Sequence, residues 1–254
     1  MQLPMEKSSQ LTIKSARRVL EILEFFAQRR GPATVSEVAD TLDYPQSSTS
    51  MLLRSLESLG YLQQDATTRS FRPTLRVMLL GTWMHDDLFG QGSLLSSMNS
   101  LRQRTGQAVM VGLRQGIYVR FILSLHSNRP NGLKFPVGVI RPVCRSSVGK
   151  MLLTKESDRD VQRIARHANA EAGSSDSVDV QNLVAEIREC RERGWAETAD
   201  YPRPGFATLA VLLPEIQGQP PMGVTLGMRV DLLRTRRAAL RRALEDAVRR
   251  LGPS

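Results

Sequence analysis

Residues 44–62, YPQSSTSMLLRSLESLGYL, predict a short helix with two contrasting faces. With residues placed about 100° apart, one arc of the helix holds only leucines, and the opposite arc holds hydroxyls, a methionine and an arginine. Pro45 suits the first helical turn and Gly60 suits the end. The leucine face is Leu52, Leu53, Leu56 and Leu59, and the other face is Ser47, Ser50, Met51, Arg54 and Ser58. Such a helix can pack on one side and meet a polar partner on the other.

Two further helices are predicted ahead of this segment. Residues 14–27, KSARRVLEILEFFA, are amphipathic, and Gly31 and Pro32 then stop the helix. In residues 34–42, TVSEVADTL, Thr34 and Glu37 have the spacing of a capping box, in which both side chains satisfy free amides. The apolar face expected for the first helix is Ala16, Val19, Leu20, Leu23 and Ala27.

A hairpin is predicted after the third helix, with strand YLQQD, turn ATTRS and strand FRPTL. Three helices and a hairpin match the plan of a winged helix-turn-helix, and the short break DY favours that plan over an unrelated three-helix domain. In such modules the third helix meets base edges, while most single arginines contact phosphate. The residues predicted to contact double-stranded DNA are Thr34, Gln46, Ser47, Ser48, Ser50, Met51, Arg54, Arg69 and Arg72.

The distribution of charge adds little to the DNA prediction. The chain has a net charge of +10. Residues 1–76 hold ten Lys or Arg against eight Asp or Glu, a net charge of +2, whereas residues 229–254 hold eight against three, a net charge of +5. The final run RTRRAALRRALEDAVRR is typical of a solvated helix face. The DNA prediction therefore rests on the arrangement of side chains.

The remaining residues predict a second domain of the α+β class. The run TLRVMLLGTWMHDDLF indicates a linker helix, and GQG follows it. Beyond it, AVMVGLRQGIYVRFILSL predicts two strands joined at Gln115 and Gly116, and FATLAVLLP and MGVTLGMRV predict two more, so a mostly antiparallel sheet is expected. The expected domains are 1–76 for DNA binding, 77–92 for the linker helix and 93–254 for the second domain.

No pattern of catalytic, cofactor-binding or metal-binding residues stands out. VGKM at residues 148–151 lacks the flanking residues of a phosphate loop, and the three histidines are far apart. Cys144 with a distant histidine is the alternative nucleophile, while Cys190 suits a core position. Free thiols, no signal-peptide pattern and no long apolar stretch predict a cytoplasmic protein that does not enter a membrane.

Four stretches give the chain a resemblance to the IclR family of bacterial transcriptional regulators. They are SARRVLEILEFFA with ATVSEVADTLDYPQSSTSMLLRSLESLGYL, FRPTLRVMLLG, LKFPVGVIRPVCRSSVGKMLL and RERGWAETADYPRPGFATLAVLLP. The resemblance implies a GAF-like C-terminal domain that binds a small organic effector, a homodimer that is often a tetramer, and a promoter with inverted-repeat character. The competing interpretation is a ligand-binding module without a DNA role, which leaves residues 14–76 unexplained.

The resemblance also implies where the effector binds. Arg141 is expected either to pair with a carboxylate or to be a surface arginine, and the helix start near Ser147 offers free amides to an anion. The implied contacts are Arg141, Cys144, Ser147, Val148, Gly149, Thr198, Asp200 and Thr208, with Val224, Thr225 and Leu226 from the last strand. Because Val224 and Leu226 stand where relatives often carry small hydroxylic residues, the expected effector is an aromatic or alkyl carboxylate rather than a very small polar acid.

Overall fold

The structure is a computed structural model that describes residues 13–80, 94–129, 132–133, 138–172, 177–216 and 218–251. The chain divides into two compact units, Met1–Met84 and His85–Ser254. The GQG boundary and most of the predicted linker helix, residues 81–92, lie outside the described residues.

The first unit is a three-helix domain with a hairpin, as predicted. The two strands pair antiparallel, with Leu62 opposite Pro73. Its elements are α1 (Lys14–Arg29), α2 (Val35–Leu42), α3 (Gln46–Ser58), β1 (Leu62–Gln64), β2 (Phe71–Pro73) and α4 (Leu75–Leu79). The short helix α4 is the described part of the predicted linker helix.

The core of the first unit holds α1, α3 and the hairpin together. The buried side chains are Ile22, Phe25, Phe26, Ala33, Val38, Leu53, Leu56, Leu62 and Phe71. Ala33 and Phe71 exchange two backbone hydrogen bonds, of 2.9 and 2.7 Å, which join the hairpin to the segment just before α2. The predicted capping box is confirmed, since the Glu37 carboxylate accepts the Thr34 amide at 2.8 Å and the Thr34 hydroxyl accepts the Glu37 amide at 3.4 Å.

Two of the predicted apolar faces are rotated from the observed ones. On α1, Leu20 is 61% exposed, and Ile22, Phe25 and Phe26 fill the core instead. These three side chains offer more apolar area than Ala16 and Ala27, so burying them is more favourable. On α3, the helix ends before Leu59, which is 59% exposed, and Thr49 is buried in its place. The Thr49 hydroxyl is satisfied because it donates to the Pro45 carbonyl at 3.1 Å.

The second unit is an α+β domain with one antiparallel sheet, as predicted. The strand order is β5-β4-β3-β8-β7-β6, and every neighbouring pair is antiparallel. The elements are α5 (Leu94–Thr105), β3 (Ala108–Gln115), β4 (Tyr118–Leu125), β5 (Ile140–Pro142), α6 (Ser147–Leu153), α7 (Asp158–Ala172), α8 (Val180–Arg193), β6 (Ala196–Ala199), β7 (Phe206–Leu212), β8 (Met222–Arg229) and α9 (Val230–Arg249).

Helices cover both faces of this sheet. Helices α6, α7 and α8 enclose one apolar core that includes Cys190, and α5 and α9 enclose the other. Helix α6 lies directly on the sheet, because Gly223 of β8 has no side chain: a Cβ there would be 2.7 Å from Cγ2 of Val148. The N-terminal end of α6 is thereby fixed over the middle of the sheet.

The basic run near the C-terminus forms most of α9. Residues 234–239 are all exposed. Arg237 pairs with Glu197 at 2.8 Å, and Arg241 lies 3.7 Å from Glu245. This is the solvated helix face that the sequence predicted.

Candidate functional site

The accessible side of α3 carries a stripe of three exposed side chains. Ser47, Met51 and Arg54 are four and three residues apart, so they lie on one face of the helix. Met51 is 71% exposed. Within the described ranges, Arg54 makes no ion pair and no side-chain hydrogen bond. The α3 stripe is therefore open to an external partner.

Other polar residues predicted for DNA contact have structural partners. The Gln46 side-chain amide donates to Ser36 Oγ at 2.8 Å, which links α3 to α2. The Ser48 hydroxyl donates to the Pro45 carbonyl at 3.0 Å, and the Thr34 hydroxyl belongs to the capping box. Ser50 is half-buried. Gln46 and Ser48 stabilise the start of α3 and Thr34 caps α2, so the polar groups of these residues are less available to an external partner than the Ser47 hydroxyl.

The hairpin presents two exposed arginines. Asp65 organises its tip, since the carboxylate accepts the amides of Thr67 and Thr68 at 2.8 and 2.9 Å, and these bonds lower the pKa of Asp65. Arg69 follows in the left-handed region with φ 52°, and Arg72 lies on β2. Both guanidinium groups are exposed, and they belong to the same unit as the α3 stripe.

The second unit contains a small cavity, of about 20 Å³, where the start of α6 crosses β7 and β8. Hydroxyls form one wall of it. Ser147 Oγ lies 2.6 Å from Thr208 Oγ1 and 3.3 Å from Thr225 Oγ1. Thr198 Oγ1 lies 2.7 Å from Thr208 Oγ1 and adds a fourth hydroxyl to this hydrogen-bonded group. This group of four is called the hydroxyl cluster below.

The rest of the cavity wall is mostly apolar, with one cation, Ser146 and the Tyr201 side chain as its polar members. Met110, Phe121 and Val148 line it together with Arg141 and the loop at residues 201–202. Arg141 is half-buried, and its Nη1 donates to the Ile140 carbonyl at 2.9 Å. Burial lowers the pKa of Arg141, and the positive charge of Arg203 adds to the effect. An arginine stays charged at neutral pH, so this partly desolvated cation favours an anionic partner.

Two family descriptions match most of the chain. Residues 15–66 match the IclR helix-turn-helix domain, and residues 93–252 match the C-terminal domain of the bacterial transcriptional regulator IclR. The chain belongs to the IclR family. It is a transcriptional regulator with a DNA-binding helix-turn-helix domain and an effector-binding C-terminal domain, and it is not an enzyme.

Individual relatives agree with the family. The chain is 25% identical over 248 residues to the transcriptional regulator BhcR of Paracoccus denitrificans (strain Pd 1222), covering 94% of this chain and 86% of BhcR. The IclR regulator of Alicyclobacillus acidocaldarius shares the fold with a TM-score of 0.68 at 19% identity, covering 94% and 98% of the two chains. An IclR homologue of Microbacterium hydrocarbonoxydans, solved in complex with 4-hydroxybenzoate, has a TM-score of 0.65 at 18% identity, covering 94% and 99%.

In this IclR-family regulator, the structure brings part of the predicted effector set together. Arg141, Ser147, Val148, Thr208 and Thr225 line the cavity, and Thr198 joins them through its contact with Thr208.

The prediction that Val224 and Leu226 line the effector site is wrong for this cavity. They lie in the core on the opposite face of the sheet, because side chains alternate along a strand, and Thr225 between them faces the cavity. A hydroxyl therefore stands where an apolar wall was expected, and the cavity is less apolar than the sequence suggested.

Three other predicted residues also lie outside the cavity lining. Asp200 is exposed, and its carboxylate accepts the Gly205 amide at 2.7 Å. Gly149 packs against the backbone before α6, and its amide donates to Ser146 Oγ at 3.2 Å, so that amide is not free for an anion as expected. Cys144 is buried, and burial raises its pKa to about 11, which keeps the thiol protonated and argues against a nucleophile.

The sequence prediction missed several residues of the cavity wall. Met110 lies opposite Thr225 across β3 and β8, a pairing that no local pattern reveals. Phe121, Ser146, Tyr201 and Pro202 are the others. Ser146, Tyr201 and Pro202 had a usable signal, since they lie in two of the stretches that resemble the family.

Metal-ligand clusters and membrane-spanning helices are both absent from the described residues. Among the residues with described positions, no three His, Cys, Asp or Glu side chains gather as metal ligands. No helix in the described ranges is both long enough and apolar enough to cross a membrane.

Proposed function

We propose that this regulator binds promoter DNA through the α3 stripe and the hairpin arginines, and that a small organic acid bound at the α6 cavity changes its affinity for DNA. The observation that carries the effector part is the half-buried cation Arg141 in the wall of a cavity that also exposes hydroxyls. Such an effector acts only if it binds the DNA-competent arrangement of the protein with a different affinity from the other arrangement.

The chemistry of the wall favours an acid with an apolar body and a second polar group. A carboxylate would pair with Arg141, apolar atoms would contact Met110 and Phe121, and a hydroxyl substituent would meet the hydroxyl cluster. The Microbacterium homologue is complexed with 4-hydroxybenzoate, which has a carboxylate at one end and a hydroxyl at the other. That composition supports the proposal of a hydroxylated aromatic or alkyl acid.

The proposed DNA target implies a twofold arrangement. A homodimer would present two copies of α3 to the two halves of an inverted repeat, and two such dimers would make the tetramer that the family resemblance implies. Because promoter DNA is the target, the proposed location is the bacterial cytoplasm.

Arg54→Ala should weaken binding to a duplex from the gene's own upstream region by about 1–3 kcal/mol. The exposed guanidinium has no partner among the described residues, so its loss removes only an external contact. Fluorescence anisotropy across a salt series is the measurement. A base contact predicts relaxed sequence preference, and a phosphate contact predicts a salt slope reduced by about one unit. Ser58→Ala, near the end of the same helix, is the control and should bind as the wild type does. Equal affinities for all three proteins would reject this DNA surface.

Arg141→Gln should weaken binding of 4-hydroxybenzoate at least about tenfold, because a charge-assisted bond to the carboxylate is lost. Isothermal titration calorimetry measures the affinity, and anisotropy measures the change in DNA binding. Arg234→Gln removes an exposed arginine of α9, the helix on the other face of the sheet, and serves as the control that should bind the acid as the wild type does. The proposal fails if the wild type binds none of the three acids 4-hydroxybenzoate, benzoate and acetate. It also fails if Arg141→Gln binds them with the same affinity as the wild type.

A further inference from the structure

Two hollows of very different size lie on the two sides of Tyr201. The α6 cavity has a volume of about 20 Å³, which is room for about one water molecule. An open groove of about 480 Å³ adjoins it, with Cys144, Lys150 and Asn182 in its wall. Tyr201 borders both spaces. An aromatic acid is larger than the cavity, so binding such an effector there requires part of the wall to move.

Most of the cavity wall is backed by regular structure. Met110 and Phe121 stand on paired strands, Ser147 and Val148 stand on α6, and Thr208 and Thr225 face the cavity from neighbouring central strands. Displacing any of these residues would break sheet or helix hydrogen bonds and disturb a packed core. Ser146 caps α6 through its hydrogen bond with the Gly149 amide, and Tyr201 and Pro202 are the wall residues that lie on the loop between β6 and β7.

That loop is held at its ends by hydrogen bonds, and its middle is more exposed to solvent than the rest of the cavity wall. The Asp200 carboxylate accepts the Gly205 amide at 2.7 Å, and the Gly205 carbonyl accepts the Val230 amide at 3.0 Å. Between these anchors, residues 201–204 are exposed or half-buried. The Arg145 guanidinium, which borders the groove, lies 5.0 Å from the centre of the Tyr201 ring and holds the ring by a cation–π contact.

We propose that Tyr201 is a gate between the groove and the α6 cavity: its ring closes the cavity when stacked under Arg145 and swings away to admit an effector. This inference rests on the proposed effector function and adds the route and a size-selecting residue. With the ring displaced, the cavity and the groove form one space, large enough for an aromatic acid. The gate therefore sets which acids enter and how fast.

A thiol placed in the cavity tests the gate without any effector. In full-length Thr208→Cys protein, the introduced thiol reacts with methyl or with benzyl methanethiosulfonate. Peptide mass spectrometry follows each reaction and separates the introduced thiol from the buried Cys144 and Cys190. Adding Tyr201→Ala should raise the rate of reaction with the benzyl reagent at least about tenfold, because the wider reagent needs the wider opening. The rate of reaction with the methyl reagent should rise less. Tyr201→Phe keeps the ring and should keep both rates.

Arg203→Ala is the matched control in the same loop, since Arg203 stacks on Phe206 and borders neither space. Its rates should equal those of Thr208→Cys alone. The gate is overturned if Tyr201→Ala leaves the benzyl rate unchanged, or if Arg203→Ala accelerates it as much. Failure of the effector proposal would appear separately, as unchanged acid binding by Arg141→Gln, because the labelling rates need no bound acid.

Discussion

Phe71→Ala should lower the free energy of unfolding of the first unit by about 3–5 kcal/mol. Phe71 is 1% exposed, on β2, among the side chains of α1 and α3. Removing its ring leaves a cavity at the point where the hairpin pairs with Ala33, just before α2. A loss of this size is a large part of the stability of a small domain, so DNA binding should be lost as well.

Hydrogen exchange followed by mass spectrometry measures this loss, because peptides from the two units report their stabilities separately. Protection should fall in residues 14–73 and stay unchanged in the second unit. Leu20→Ala is the control: the sequence pattern placed Leu20 in the core, but the structure exposes it, so its truncation should cost less than about 0.5 kcal/mol. Similar losses in the two variants would contradict the observed face of α1.

Gly149→Ala should destabilise the second unit by about 3 kcal/mol, although alanine is the better helix former by about 1 kcal/mol. A Cβ at this position would overlap the carbonyl oxygen of Val143 and lie 2.6 Å from Ser146 Oγ. Helix α6 cannot retreat easily, because Val148 already packs closely against Gly223 on β8. The substitution therefore either strains the turn before α6 or lifts the helix from the sheet.

Thermal unfolding and hydrogen exchange of residues 143–153 measure the effect of Gly149→Ala. Gly31→Ala is the control, since its Cβ would meet only the Arg29 carbonyl oxygen at 4.0 Å, and stability should be unchanged within about 0.5 kcal/mol. If the Gly149→Ala protein proved as stable as the wild type, the close seating of α6 on the sheet would be wrong.

The helix-turn-helix was predictable because its signals are local. The capping pair Thr34 and Glu37, the proline before α3 and the hairpin turn each lie within a few residues of the structure that they specify. The predicted face of α1 was wrong at Ala16, Leu20 and Ala27, which are exposed, whereas Val19 packs against the core as predicted. The larger side chains Ile22, Phe25 and Phe26 gain more free energy by burial and fill the core instead.

The lining of the α6 cavity was only partly predictable. Arg141, Ser147, Thr208 and Thr225, which the resemblance implied as effector contacts, line this cavity. The resemblance did not fix which face of the last strand meets the cavity: Val224 and Leu226 were implied together with Thr225, but side chains alternate along a strand, so these two lie in the core on the other face of the sheet. The groove and the position of Tyr201 between two spaces had no counterpart in any local pattern.

The sequence by itself determined the class of the two domains, the three helices and the hairpin of the first, four of the six strands in the sheet of the second, and the exposed polar face of α3, because periodicity and caps act over a few residues. Only the tertiary structure decided the α6 cavity. Ser147 is 61 residues from Thr208 and 78 residues from Thr225 along the chain, and they meet because α6 packs on two central strands of the sheet. Sheet pairing and the side-chain-free surface at Gly223 set that packing, and neither follows from the spacing of residues along the chain.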